Sequence, residues 1–211
     1  MKNALPALIV TRICHDLASP IGAISNVADM MRGMGDQGDA EDLDMLCRAA
    51  ERGTSVLNFY RVVLGYKTAE DPGIMLESFI ALSKCQEVAN RLSVEVTCSA
   101  ATLEPKLAKL SGLLLMAGAS MAGLKGVLRL SILPSEEEVC VLDVVGDRVT
   151  LTETRAHLLT VEQAFAEKPG DIEFCLIRTT AALLSARVEI DRREGSIRLS
   201  ACPQSSIKPS E

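Results

Sequence analysis

The sequence predicts an α+β protein: an N-terminal helical hairpin that pairs with a second copy as a dimeric four-helix bundle, followed by a sandwich of helices on a mostly antiparallel sheet. Three observations predict this. Up to residue 67 the apolar residues recur only at helical spacing, whereas from residue 74 helical runs alternate with period-two runs. Two long apolar stripes flank one glycine-rich turn in the first part. Aromatic residues are only 3% of the chain and Trp is absent, so the core must be built from aliphatic side chains.

The first stripe is Ile9, Ile13, Leu17, Ile21, Ile24, Ala28 and Met31, advancing by threes and fours. "RGMGDQGDAED" then supplies glycines for a turn and aspartates to cap the next helix. The second stripe, Leu43, Leu46, Ala50, Gly53, Leu57, Tyr60 and Leu64, alternates steps of three and four as a heptad seam. Ala50 and Gly53 are small enough to let helices approach closely. Two helices cannot bury two such stripes unaided, but two hairpins can, as a four-helix bundle. Residues 1–67 are therefore expected to be the dimerising hairpin, closed by "TAEDPG".

Residues 74–203 are expected to form the second unit. "IMLESFIALSKCQEVANRL" is helical, "SVEVTCS" alternates as a strand, and "PKLAKLSGLLLMAGASMA" is a buried helix with Pro105 in its first turn. "GVLRLSIL" and "EVCVLDVV" are strands joined at "PSEEE". "TETRAHLLTVEQAFAE" is a helix opened by a capping Thr, and "DIEFCLIRTTAALLSA" another. "RVEIDRREGSIRLSAC" is a hairpin turning at Glu194-Gly195. Residues 204–211 read as a polar, flexible tail.

Composition excludes several functions. The chain has 211 residues, 48% of them hydrophobic, and a net charge of −6, which disfavours a nucleic-acid partner. Seven cysteines include no CxxC pair, so neither a disulfide framework nor a zinc site is expected. "MKNALPALIVTRICHD" has no signal-peptide pattern, and "LSGLLLMAGASMAGL" is too short for a membrane span. The expectation is a cytoplasmic protein without a membrane partner.

One stretch carries chemistry, "RICHDLASPIG" at residues 12–22. His15 falls outside the apolar stripe, and its helical neighbours Thr11, Arg12, Ala18, Ser19 and Gly22 are small or polar. Pro20 removes one backbone donor and should kink the helix, without ending it, because the stripe stays in phase. A neutral imidazole can attack phosphorus and hold a phosphoryl group. Asp16 can orient the ring, and Arg12, one turn back, can meet phosphoryl oxygens. Taken alone, a helical His is more often a plain surface residue. His157, in "TETRAHLL", has no comparable surroundings and reads as structural or exposed.

"HDLASPI" resembles the H-box of histidine kinases, and the order of hairpin then α+β layer is that of a kinase core. The whole chain is still more similar to the ChpT-type histidine phosphotransferases of alphaproteobacteria, whose "CHD…SP.GAI.N" pattern is matched by Cys14, His15, Asp16, Ser19, Pro20, Gly22, Ala23, Ile24 and Asn26. The resemblance runs from about residue 8 to 202 and is weaker after the first helix. It implies His15 as phosphoacceptor, assisted by Asp16, Arg12 and Ser19, with Thr11, Gly22, Ala23 and Asn26 facing a partner.

A histidine kinase also needs an ATP site resembling N-x-x-x-N on a helix, then D-x-G-x-G and G-x-G-L-G. The corresponding helix, 106–122, has no Asn. "DVVGDRV" keeps Asp143 and Gly146 without a glycine pair, and the last box is reduced to "KPGDIEFCL". The second unit thus resembles a degenerate ATPase-like (Bergerat-type) sandwich. The resemblance implies a phosphorelay shuttle between the receiver-domain Asp of a hybrid histidine kinase and response regulators, CtrA-like and CpdR-like among them. No cofactor or metal of its own is expected, since a receiver brings its Mg²⁺. Two alternatives stay open: a non-catalytic dimeric adaptor that binds receivers, and a divergent histidine kinase.

Overall fold

The computed structural model describes residues 4–33, 40–65, 71–86, 92–123, 125–133 and 138–204. Helix α1 runs unbroken over Leu5–Gly33, through Pro20, and packs on α2, Ala40–Val63. Glu41 and Asp42 in the first turn of α2 and Arg61 in its last complement the helix dipole. The glycine-rich turn expected before α2 lies at 34–39, outside the described residues; so do 134–137 of "PSEEE", 87–91 of the expected third helix and 205–211 of the tail.

Of the two stripes above, a single chain fully buries only Tyr60. On α1 the buried residues are Pro20 and Val27, while Ile21 is 56% exposed. On α2 they are Phe59, Tyr60 and Val63; Leu43 and Leu57 are 53% and 46% exposed, and Ala50 is exposed too. The reason is geometric. Pro20 turns its ring toward Gly53, where an added Cβ would lie 3.5 Å from the proline Cβ, so the helices meet along that line. The lower end of α2 is instead covered by the second unit. The apolar residues left over, Ile21, Leu43 and Leu57 among them, are not buried by one chain.

By length and composition α1 is the one described helix able to cross a bilayer, its most apolar window having a mean hydropathy of 1.3. Its Arg12 and Asp16 are bonded to each other, and Asp16 is bonded to α2 as well.

The second unit opens with a short strand that sequence periodicity did not indicate. β1 (Ile74–Met75) precedes α3 (Leu76–Ser83) and pairs antiparallel with β3 (Thr102–Leu103), which follows β2 (Leu92–Cys98). Gly73 permits this pairing, because a Cβ there would lie 2.5 Å from the Leu103 carbonyl oxygen. Then come α4 (Pro105–Ala122), with Pro105 in its first turn, β4 (Gly126–Ile132) and β5 (Cys140–Val145).

Helix α5 is shorter than expected, Glu153–Thr160, though Thr152 caps it by accepting from the Arg155 N–H at 3.3 Å. The chain then leaves helical geometry at Val161. Arg178 donates to the carbonyl of Leu158 (2.9 Å) in the last turn and to those of Val161 and Ala164 (2.9 Å) in the segment that follows. A 3₁₀ turn (Pro169–Asp171) leads into α6 (Ile172–Leu183) and the hairpin β6 (Ala186–Arg193) and β7 (Ser196–Pro203). Gly195, at φ 71°, makes that tight turn.

The five-stranded sheet has the order β2-β4-β5-β7-β6, with only β2 and β4 parallel. Leu128, Leu130, Ile132, Leu142, Val144, Ile197 and Leu199 project from one face into the core. α4 lies on this face at Gly118, where a Cβ would come within 2.9 Å of Leu142 Cδ2. One continuous core joins the hairpin and the sandwich, because Phe59, Tyr60 and Val63 belong to the same cluster as α4. The two meet closely at Gly112, where a Cβ would be 2.4 Å from Val63 Cγ2.

Candidate functional site

His15 stands on the outer surface of α1 with its side chain 83% exposed. Its Nδ1 lies 2.8 Å from Asp16 Oδ1. An ionised carboxylate only accepts hydrogen bonds, so in the neutral imidazole this contact puts the proton on Nδ1 and the lone pair on Nε2. The other oxygen of Asp16 accepts from Arg12 Nε at 2.8 Å and from the Tyr60 hydroxyl on α2. Asp16 thus has three donors on two elements.

This arrangement keeps Asp16 charged. Burial opposes ionisation, but the hydrogen bonds from His15 and Tyr60, together with Arg12, outweigh it and hold the carboxyl below its ordinary range. Burial and the Asp16 contact push the Tyr60 phenol upward, so Tyr60 remains a donor. Arg12 is also partly buried, which disfavours its charge, yet Glu173 and Asp16 more than restore it. Its guanidinium reaches the 3₁₀ turn, with Nη1 3.5 Å from where a Cβ of Gly170 would stand.

Glu173, in the first turn of α6, is fully buried, and neither side-chain oxygen has a hydrogen-bond partner among the described residues. Burial raises its carboxyl; Arg12 and Arg155 pull it back. Arg155 closes the far side. It donates to Asp171 Oδ1 (2.8 Å), Gly170 O (3.3 Å) and Ser120 O (3.4 Å), and lies 5.0 Å over the Phe174 ring. An alternating series, Arg155, Glu173, Arg12, Asp16, therefore links the second unit to the histidine.

Of the residues singled out in the sequence, Arg12, His15, Asp16 and Ser19 line one cavity of about 210 Å³. Thr11, Ala23 and Asn26 are exposed on the same helix; Gly22 is half-buried, with open space where a Cβ would be. His157 is exposed on α5 and lies outside this cavity. Tyr60 and Glu173 were not legible as site residues. Tyr60 occupies a seam position, and Glu173 heads an apolar run. Their only sequence signal is a polar group inside an apolar pattern.

No protein-family model matches the chain. It is 33% identical over 104 residues to the Protein phosphotransferase ChpT of Brucella abortus (strain 2308), a match of 48% of this chain and 47% of that protein. The chain thus spans about half the length of the curated relative it matches. A solved structure of a bacterial phosphotransferase superposes with a TM-score of 0.76 over 95% of this chain and 97% of that one, at 21% identity. The histidine kinase domain of the Erythrobacter litoralis EL346 blue-light activated histidine kinase aligns with a TM-score of 0.46 over 96% and 94% of the two chains, at 17% identity. Fold and site define an α+β protein with a histidine-bearing helical hairpin. The sequence match likens about half of the chain to a ChpT phosphotransferase, and the solved structure shares its fold.

Proposed function

We propose that this chain is a histidine phosphotransferase of a phosphorelay, carrying a phosphoryl group on His15. One observation carries the reading: an exposed imidazole whose Nδ1 is held by a buried-side carboxylate, leaving Nε2 free toward solvent. The donor is the phospho-aspartate of a receiver domain on a hybrid histidine kinase. Nε2 attacks phosphorus; the N–P bond forms as the P–O bond to the receiver carboxylate breaks, and that carboxylate leaves as an anion. Nδ1 keeps its proton throughout, and the positive charge that develops on the ring faces Asp16. Reversal onto the aspartate of a response regulator, CtrA-like or CpdR-like, completes the relay. The Mg²⁺ belongs to the receiver.

The apolar face left by Ile21, Leu43 and Leu57 supports a homodimer through the hairpins. The protein is read as cytoplasmic. Arg155 supports a carrier over a kinase: it ties the end of α4, at Ser120, to Gly170 and Asp171 in the segment "KPGDIEFCL". Those are two of the three places where a kinase of this architecture places nucleotide-binding boxes, and a nucleotide would have to break these bonds.

Incubation with a phosphorylated receiver tests the proposal. Label should pass to the wild type as an acid-labile, base-stable phosphoramidate, and His15→Ala should abolish it while leaving the fold intact. Label on His157, or on the His15→Ala variant, refutes the site. Self-labelling with Mg-ATP alone would favour the kinase.

A further inference from the structure

We propose that Arg52, on α2, is the cation that receives the phosphoryl group at His15; this rests on the phosphoryl-carrier reading above. A phosphoryl group in transfer spreads its negative charge over three oxygens, and a site that moves it needs uncompensated positive charge beside the nucleophile. The cavity at His15 is about 210 Å³, several times the roughly 30 Å³ of a water in the liquid. Two guanidinium groups line it, Arg12 and Arg52.

Arg12 is already engaged. Its Nε donates to Asp16, and Glu173 also acts on its charge, so one guanidinium faces two carboxylates. Arg48, one turn before Arg52, is paired with Asp44. Among the described residues Arg52 has no carboxylate within ion-pair distance, and it is half-buried. The hairpin contact places it: Gly53, its neighbour, faces Pro20, five residues beyond His15. Arg52, Ser19 and Cys85 line both the His15 cavity and an adjoining groove of about 480 Å³, so Arg52 stands between the two. Its planar fork matches two phosphoryl oxygens at once. Arg12 then acts as a positioning residue, fixing Asp16 and joining α1 to the second unit.

The test uses the full chain with two donors, phosphoramidate and a phosphorylated receiver. Arg52→Ala should lower the maximum rate of His15 labelling by roughly 10- to 100-fold with either donor, at an unchanged circular-dichroism melt. Arg52→Gln, which keeps length and hydrogen bonding but not charge, should fall likewise, and Arg52→Lys should recover part of the loss. Wild-type maximum rates in Arg52→Gln overturn the proposal, even if Arg52→Ala fails to fold. So does a loss seen only as weaker receiver saturation at a normal maximum rate, which would make Arg52 a docking residue. If the wild type takes label from neither donor, the carrier reading itself falls, and this proposal with it.

Discussion

Tyr60 and Asp16 lie 44 residues apart and are joined by a hydrogen bond from the Tyr60 phenol to Asp16 Oδ2, across the two helices of the hairpin. The bond makes the position of the carboxylate beside His15 depend on α2 as well as on α1.

Tyr60→Phe should therefore do two things. Losing a hydrogen bond to a charged group should cost about 1.5 kcal/mol of stability, measured by urea unfolding. Asp16 should become freer, and the single-turnover rate of His15 labelling should fall about threefold to tenfold. A variant unchanged in both would leave the bond without a role.

Asp16 itself gives a pH dependence with a definite sign. Its folded pKa is below its ordinary value, so its stabilising contribution is complete above the unfolded value of about 3.9 and is lost as pH falls through the lower folded value. Asp16→Asn should be less stable than the parent near neutral pH, and the gap should close in acid. Denaturation midpoints from about pH 2 to 7 measure it. A gap constant with pH would separate the stability effect from ionisation. Labelling by this variant should slow at least tenfold, because the amide holds the imidazole tautomer less firmly.

Leu57 is half in solvent in a single chain, so Leu57→Asp should not unfold the protein. It should place a carboxylate in the apolar face between copies and dissociate the dimer. Light scattering should give the mass of one chain, with a thermal midpoint within a few degrees of the dissociated parent. A dimer that persists would move the interface elsewhere.

Gly112 reports on the joint between hairpin and sandwich. A Cβ would come within 2.4 Å of Val63 Cγ2, so Gly112→Ala should cost about 1–3 kcal/mol by overpacking. Val63→Ala in the same chain should recover part of that loss, which a double-mutant cycle in urea would read.

The sequence by itself determined the α+β class and the exposed place of the histidine on its helix. Helical spacing on either side of a glycine-rich turn and period-two runs after residue 74 are local patterns, set by which face of each element meets the core. "HDLASPI" is equally local: His15 stands off the apolar line on its own helix, and Asp16 is its chain neighbour. Only the tertiary structure decided the rest. Which residues of α1 and α2 are buried depended on Pro20 meeting Gly53 and on α4 covering Val63. The end of α5 is tied to Arg178, 20 residues beyond Leu158, which donates to the Leu158 carbonyl in the last turn of that helix. That Arg12 serves Asp16 and Glu173 and that Tyr60 is a donor follow from charges on different elements being brought within a few ångströms. Periodicity reports which side of an element is apolar; it carries no information about the partner that a polar group on that side will meet.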